Sequence, residues 1–597
     1  MVLYQASRAR GPGVSCWASV ALLVISARPL AAQTPWREAV TVTASAEPMT
    51  FDTQSRVVYV LTKEQIARLP VTSVADALAL LAPVDVRTRG TDGVQADFSI
   101  RGASFGQSLV LVDGVRLNDA QSGHHNSDIP LVLEDIERIE VLAGAGSSLH
   151  GADALGGTIN IVTRRAARRA SARIAGASFG TGDAAATYDT GTHGVSAGFS
   201  RSDGFMAARD YSNVTASGRT TLGGHRVTAG VLDREFGANG FYGASPSREW
   251  TSQALVAVER SRVALGAWTA SWRGSARAHR DRFLWDERRP GQFENRHRSY
   301  AAIATAQGER PFSGTTRLAV GGEFGADWVR SSNLGDHAYQ RGAAFAELRH
   351  QRGTLFVTPG VRVDSYSRFG TSVSPSLAAG RWFGDVKLRG AAGRAFRVPT
   401  FTELYYRDPN HLASDGLSPE SAWSFEGGAD WLPAPAWLVG ATTFVRVERD
   451  VIDWVRARPT DRWQTANIRE VTTNGIELSA RRMLGSNGLL DLQYAWLDSD
   501  APSLQLLSKY VLDIARHRFT ASGSAALPGQ FTVGGRLGLT QRVDGRDYRL
   551  LDARVSRRWG PVALTADLRN LLDEEYEEIV GVAMPGRSAR VELAWSR

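Results

Sequence analysis

Over most of its length this sequence alternates, residue by residue, between apolar and polar side chains. The pattern sets in near residue 170 and holds to the end. In "PVALTADLRN", Val562, Leu564, Ala566 and Leu568 fall on one side, and Ala563, Thr565, Asp567 and Arg569 on the other. "RVELAWSR" sets Val591, Leu593 and Trp595 against Glu592, Ala594 and Ser596 in the same way. A period of two gives a sheet with one apolar and one polar face.

The connections narrow this further. Tight ones, such as "LGGH", "QRGT", "WFGD", "LPAPA", "GSNG", "LPGQ" and "RWGP", recur between segments. Long ones, such as "EFGANGFYGASPSRE" and "LWDERRPGQFENRH", come between them. Short turns at one end and long loops at the other mark an up-and-down transmembrane barrel. A soluble propeller or a string of sandwiches does not explain that regularity. No segment after residue 32 approaches the ~20 apolar residues of a spanning helix, and a closed barrel is the other way to satisfy backbone groups in lipid. At ~10 residues per tilted strand plus connections, residues 170–597 suit about 22 strands. A barrel that wide is expected to hold a plug in its lumen. The predicted fold is therefore an all-β transmembrane barrel of antiparallel strands around an N-terminal α+β plug.

The front of the chain reads differently. Residues 1–32 have the form of a signal peptide: Arg8 and Arg10, the apolar "VSCWASVALLVIS", and "LAA" before a cleavage site after Ala32. Cys16, the only cysteine, lies inside it, so the mature chain has no disulfide, thiolate metal site or cysteine nucleophile. The net charge of +8 and pI near 9.7 are spread along the chain, so no nucleic acid is expected as partner. Residues 46–165 form the expected plug, with "SVADALALLAPV" a short helix. "ADFSIRG", "SLVLVDGVRLND", "IERIEVLAG" and "GGTINIVTRR" read as its strands. Between signal and plug, in residues 33–45, lies "EAVTVTAS". Val40 and Val42 alternate there with Thr41 and Thr43 as in a strand, with no partner strand nearby. A linker that happens to alternate would look the same.

"FSIRG", "VLVDGVRLND", "IPLVLEDIERIEVL", "GSSLHGADALGGTINIVTR", "GRAFRVPTFTELYY", "LSPESAWSFEGG", "NGIELSA" and "NLLDEEYEEIVGVAMPGR" together resemble the TonB-dependent outer-membrane receptors. With "EAVTVTAS" at residue 38 before them, they run in that family's order through most of the chain. The resemblance implies that Glu38, Ala39, Val40, Thr41, Val42, Thr43 and Ala44 are the TonB box. This is an exposed strand that the inner-membrane TonB energy-coupling protein grips by strand addition. It also implies a plug–barrel lock of Arg101 with Glu426 and Glu477. The expected protein is a monomer in outer-membrane lipid, placed there by the barrel-assembly machinery. It would import a scarce ligand using the proton gradient, without covalent chemistry. No "GxSxG" or "HExxH" argues for an enzyme. The rival is a passive porin-like channel.

For the ligand, His124, His125 and Asn126 in "SGHHNSDIP" offer contacts to a metal complex or an anionic group, unless the loop is merely solvated. Phe236, Phe241, Tyr242, Trp285, Phe293, Tyr405 and Tyr406 offer a stacking surface, unless the loops pack on themselves. The resemblance points to the branch that takes vitamin B12 (cobalamin) or a ferric siderophore. Loop calcium at Asp203 and Asp210 is a weaker expectation, because a hard cation wants six or more oxygens. No other cofactor is expected. Two departures from the family pattern stand out. The chain ends "AWSR" rather than on an aromatic residue, and Ala143 and Ala145 replace the arginine and proline of a family Arg-Gly-Pro motif.

Overall fold

The fold is taken from a computed structural model, which describes residues 36, 40, 41, 43, 45, 46 and 48–597, except 244, 486 and 502–504. The expected signal peptide, and Glu38, Ala39, Val42 and Ala44 of the expected box, lie outside the described residues.

Twenty-two long antiparallel strands close into one barrel. The first, Arg168–Ala177, pairs with the last, Ser588–Ser596, at Ala172↔Trp595 and Ile174↔Leu593, so no edge is left unpaired. Two two-residue strands, His411–Leu412 and Leu507–Ser508, are additions from the loops. Every two-residue turn falls at one end, and every connection longer than five residues falls at the other, as the sequence predicts, although the longer-loop end also has short turns such as 178–180 and 332–334. Leu564 and Leu568 of Val562–Arg569 point outward, while Thr565 and Asp567 are buried in the lumen. The apolar face meets lipid and the polar face meets the plug. Trp595 belongs to the outward set.

Inside sits a five-stranded mixed sheet, in the order Val58–Thr62, Ile136–Ala143, Gly157–Thr163, Ser108–Val112, Val115–Arg116. A separate ladder joins Val84–Thr88 to Ala96–Ile100. Helix Val74–Leu78 starts at a capping box between Ser73 and Asp76. It packs with the strands around Leu78, Leu81, Ile100, Ile139, Ile159 and Ile161.

The plug meets the wall through apolar contacts, such as Leu155 with Ala395 and Ala422, and through many ion pairs. Asp76 pairs with Arg569 at 2.8 Å, Asp85 with Arg542 at 3.1 Å and Arg518 at 3.3 Å, and Asp119 with Arg277 at 2.5 Å.

One expectation is corrected here. Val40–Thr41 is not without a partner: it pairs antiparallel with Met49–Thr50, as Val40↔Thr50 and Thr41↔Met49. A two-residue partner is too short to show any periodicity in sequence.

Candidate functional site

The segment that the resemblance marks as the coupling box is anchored at its described C-terminal part. Thr43 is fully buried. Its N–H and Oγ1 both donate to Glu140 Oε2, at 3.0 and 2.6 Å. Its carbonyl accepts from His150 Nε2 at 3.0 Å, and its Oγ1 from Asn160 Nδ2 at 3.2 Å. Two residues on, Ser45 Oγ donates to Glu347 of the barrel wall. The expected free handle is thus tied to plug and wall here, its Thr and Ser hydroxyls donating to buried carboxylates of each.

Arg101 meets both expected partners. Its Nε and Nη2 donate to Glu477 Oε1 and Oε2, both at 2.7 Å, and its Nη1 donates to Glu426 Oε2 at 2.6 Å. Tyr59 Oη adds a bond to Glu477 at 2.9 Å, and the guanidinium lies 4.4 Å from the Phe444 ring centroid. Arg101 has φ +53°, a left-handed backbone that costs a non-glycine residue about 1–3 kcal/mol. Arg446 Nη1 holds the Arg101 carbonyl at 3.1 Å. Gly144, at φ +86°, lies so close that a Cβ there would meet Arg101 Nη1 at 3.1 Å. Ala143 and Ala145 border a cavity of about 20 Å³, room for about one water and far less than an arginine side chain. Arg56 also lines it, donating to the Ala145 carbonyl and Ser148 Oγ, both at 3.3 Å.

At the long-loop end the expected ligand contacts divide. His125 and Asn126 are buried within the short 3₁₀ turn Gly123–Ser127 rather than displayed. Phe236 and Phe241 are buried against Val94 and Tyr211, so those rings pack on the protein itself. Phe293 is half-buried. Trp285 stays half-buried beside Phe283, and Tyr242 is exposed while its hydroxyl bonds Gln95 and Glu249. Tyr405 stacks on His337 at 3.6 Å, and Tyr406 stands edge-on to His411.

His124 is half-buried. Its Nδ1 donates to Asp97 Oδ1 at 2.8 Å, which leaves Nε2 as the acceptor nitrogen. Burial lowers its pKa more than Asp97 raises it, so the ring is neutral at pH 7. It stacks on Phe105 at 4.3 Å, with Tyr510 edge-on to Phe105 at 5.4 Å. Lys509 sits alongside, 3.1 Å from His411 Nε2. Phe105, Lys509 and Tyr510 were not legible as site residues, although Phe105 lies in "ASFGQS" directly after the "IRG" motif.

Asp203 and Asp210 bear the weaker calcium expectation. Asp210 gives both oxygens to Arg248, and no trio of acidic or imidazole ligands forms around the pair among the described residues.

A lateral cavity of about 420 Å³ runs between the plug and the first and last barrel strands, bordered by Lys63, Asp92, Arg173, Tyr211, Arg554 and Glu578. That is room for a dozen or so waters at ~30 Å³ each. A large ligand cannot pass without movement of the plug.

Residues 168–571 match the TonB dependent receptor-like β-barrel family, and residues 51–158 match the TonB-dependent receptor plug domain. The chain belongs to the TonB-dependent receptors, a family of outer-membrane barrels. It is 25% identical over 559 residues to the vitamin B12 transporter BtuB of Vibrio vulnificus, covering 87% of this chain and 88% of that one. Among solved structures, the siderophore receptor PirA of Acinetobacter baumannii superposes with a TM-score of 0.74 at 14% identity, covering 91% of this chain and 98% of that one. The ferric enterobactin receptor PfeA of Pseudomonas aeruginosa gives a TM-score of 0.74 at 15% identity, covering 94% and 100%. At those identities the structural likeness speaks for the fold alone.

Proposed function

We propose that this protein imports a large, scarce ligand across the outer membrane, driven by TonB and the inner-membrane proton gradient, and that the ligand is cobalamin. The observation that carries the transport reading is a plug that closes the barrel and also holds, at Thr43, the segment a coupling protein would pull. Ligand binds among the outer aromatics and His124. The Thr43 anchorage then gives way, the coupling protein adds a strand to the freed segment, and traction withdraws Arg101 from its two glutamates. The relationship to B12 transporters along most of the chain favours cobalamin.

The test measures binding of cyanocobalamin and of a panel of ferric siderophores to the purified protein, then uptake in cells with and without TonB. Saturable cobalamin binding and TonB-dependent uptake are expected. Binding of a siderophore instead would replace the ligand. Large open-channel steps in a planar bilayer, with uptake indifferent to TonB, would make the protein a porin.

A further inference from the structure

Where the plug's turn Gly123–Ser127 meets the wall, two buried histidines face each other, one from each part. His125 of the plug and His279 of strand Trp268–Leu284 have ring centroids 4.3 Å apart. Asp128 of the plug stands between them. Its Oδ2 is 2.9 Å from His279 Nε2 and 3.8 Å from His125 Nδ1. These donor atoms lie within 4.8 Å of one another, and all three side chains are buried. Ligands held ~2.0–2.2 Å from a tetrahedral ion stand roughly 3.3–3.6 Å apart. The trio therefore stands within about an ångström of converging on one centre.

The outer contacts fit the same reading. With His125 bound through Nδ1, its Nε2–H would face Asp281 Oδ2, now 3.5 Å away. With His279 bound through Nε2, its Nδ1–H would face Asp119 Oδ2, now 3.7 Å away. Each imidazole is thus backed by a carboxylate on its far side, the arrangement that fixes tautomer and raises ligand basicity in metal sites. His279 Nδ1 and Asp281 Oδ1 have no hydrogen-bond partner although both are buried. The remaining oxygen of Asp128 is held by Arg234 at 3.0 Å, and Gln121 orients Asp281 at 3.1 Å.

We propose that His125, Asp128 and His279 form a binding site for a divalent transition ion of the zinc type, clasping plug to barrel. Two imidazoles and one carboxylate suit zinc, cobalt or nickel. Calcium and magnesium prefer an all-oxygen shell of six or more ligands. The ion would take the place of the direct His279 Nε2–Asp128 Oδ2 contact. The site needs neither cobalamin nor TonB, so it stands or falls separately from the transport reading.

The test uses the full-length protein in detergent, stripped with a chelator and titrated with Zn²⁺, Co²⁺ or Ca²⁺ alone. One Zn²⁺ per chain is expected, together with the strong visible absorption of low-coordinate Co²⁺ and no competition from Ca²⁺. Zn²⁺ should raise the urea concentration that releases the plug. His279→Gln should weaken binding at least tenfold and abolish that rise, whereas His193→Gln, at the exposed start of strand His193–Ser202, should change neither. Absence of saturable Zn²⁺ binding to the unmutated protein would overturn the proposal whatever the variants do. So would equal competition by Ca²⁺, or unaltered affinity in a folded His279→Gln protein.

Discussion

Arg101 of the plug and Glu477 of the wall face each other through two parallel hydrogen bonds of 2.7 Å, with both side chains buried. The same guanidinium reaches Glu426, so one cation serves two acids. Removing one partner of a buried pair costs roughly 3–5 kcal/mol. Arg101→Ala should therefore loosen the plug, lowering its urea release midpoint and admitting ion leakage in bilayers. Arg101→Lys should fall between, because an ammonium cannot reproduce the fork. If Arg101→Ala moved neither midpoint nor leak, Arg101 would not be a clasp.

Restoring the family's second arginine looks attractive from sequence and unattractive in space. The cavity beside Ala143 measures about 20 Å³, with Arg56 and Arg101 already lining it. Ala143→Arg should thus lower the release midpoint through overpacking and like-charge repulsion, at a cost of roughly 1–3 kcal/mol. A raised midpoint in the same urea series would show that the wall yields more than this geometry allows.

The coupling segment makes two opposite predictions. Val40→Pro removes a main-chain donor and disfavours strand pairing, so energised uptake should collapse while surface binding persists. Glu140→Ala deletes the acceptor of two Thr43 bonds, each worth about 1.5–3 kcal/mol when charged. That variant should bind the periplasmic domain of TonB at least tenfold more tightly without ligand, as read by pull-down or calorimetry. Equal affinity would mean that Thr43 does not restrain the segment.

At the outer face, His124→Ala and Phe105→Ala should each weaken ligand binding by about 1 kcal/mol or more and leave the urea midpoint alone. His125→Ala should instead lower the midpoint, because that ring is buried between Asp128 and Asp281. Titration and urea melts of the three single variants separate the roles.

His150 predicts a pH effect. Burial, with the guanidiniums of Arg116, Arg362 and Arg56 nearby, holds its pKa down to about 4, against the raising effect of its bond to the Thr43 carbonyl. An unfolded histidine titrates near ~6.5. The stability tied to the neutral ring is therefore complete above ~6.5 and is lost as pH falls toward about 4. Protease access to the segment around Thr43 should rise between pH 7 and pH 5. His150→Gln, which cannot take up a proton there, should flatten that dependence.

Much of this fold is legible because a barrel strand writes its period of two over eight or more residues, as in Val562–Arg569. The plug strands are legible as short apolar runs bounded by turn residues, since strands such as Ser108–Val112 are buried on both faces. What escapes is what closure brings together. His125 and His279 belong to separate parts, and nothing in either stretch announces the other. Phe105 and Tyr510 meet only because a plug loop rises beneath the strand-to-strand connection carrying Tyr510. The partner of Val40–Thr41 is two residues long, and no periodicity can be read from two residues.

The ion pairs between plug and wall carry a sense of direction. Arg226, Arg234, Arg277, Arg518, Arg542 and Arg569 reach from the wall to plug aspartates, whereas Glu426, Glu477 and Asp513 face plug arginines. With the plug in place these charges cancel. Withdraw it, and of these pairs six guanidiniums and three carboxylates are left on the wall, in a low-dielectric tube that strengthens their field. These pairs by themselves would bias an emptied barrel toward chloride over sodium. The plug of this receptor is thus the counter-ion of its own wall as well as its stopper.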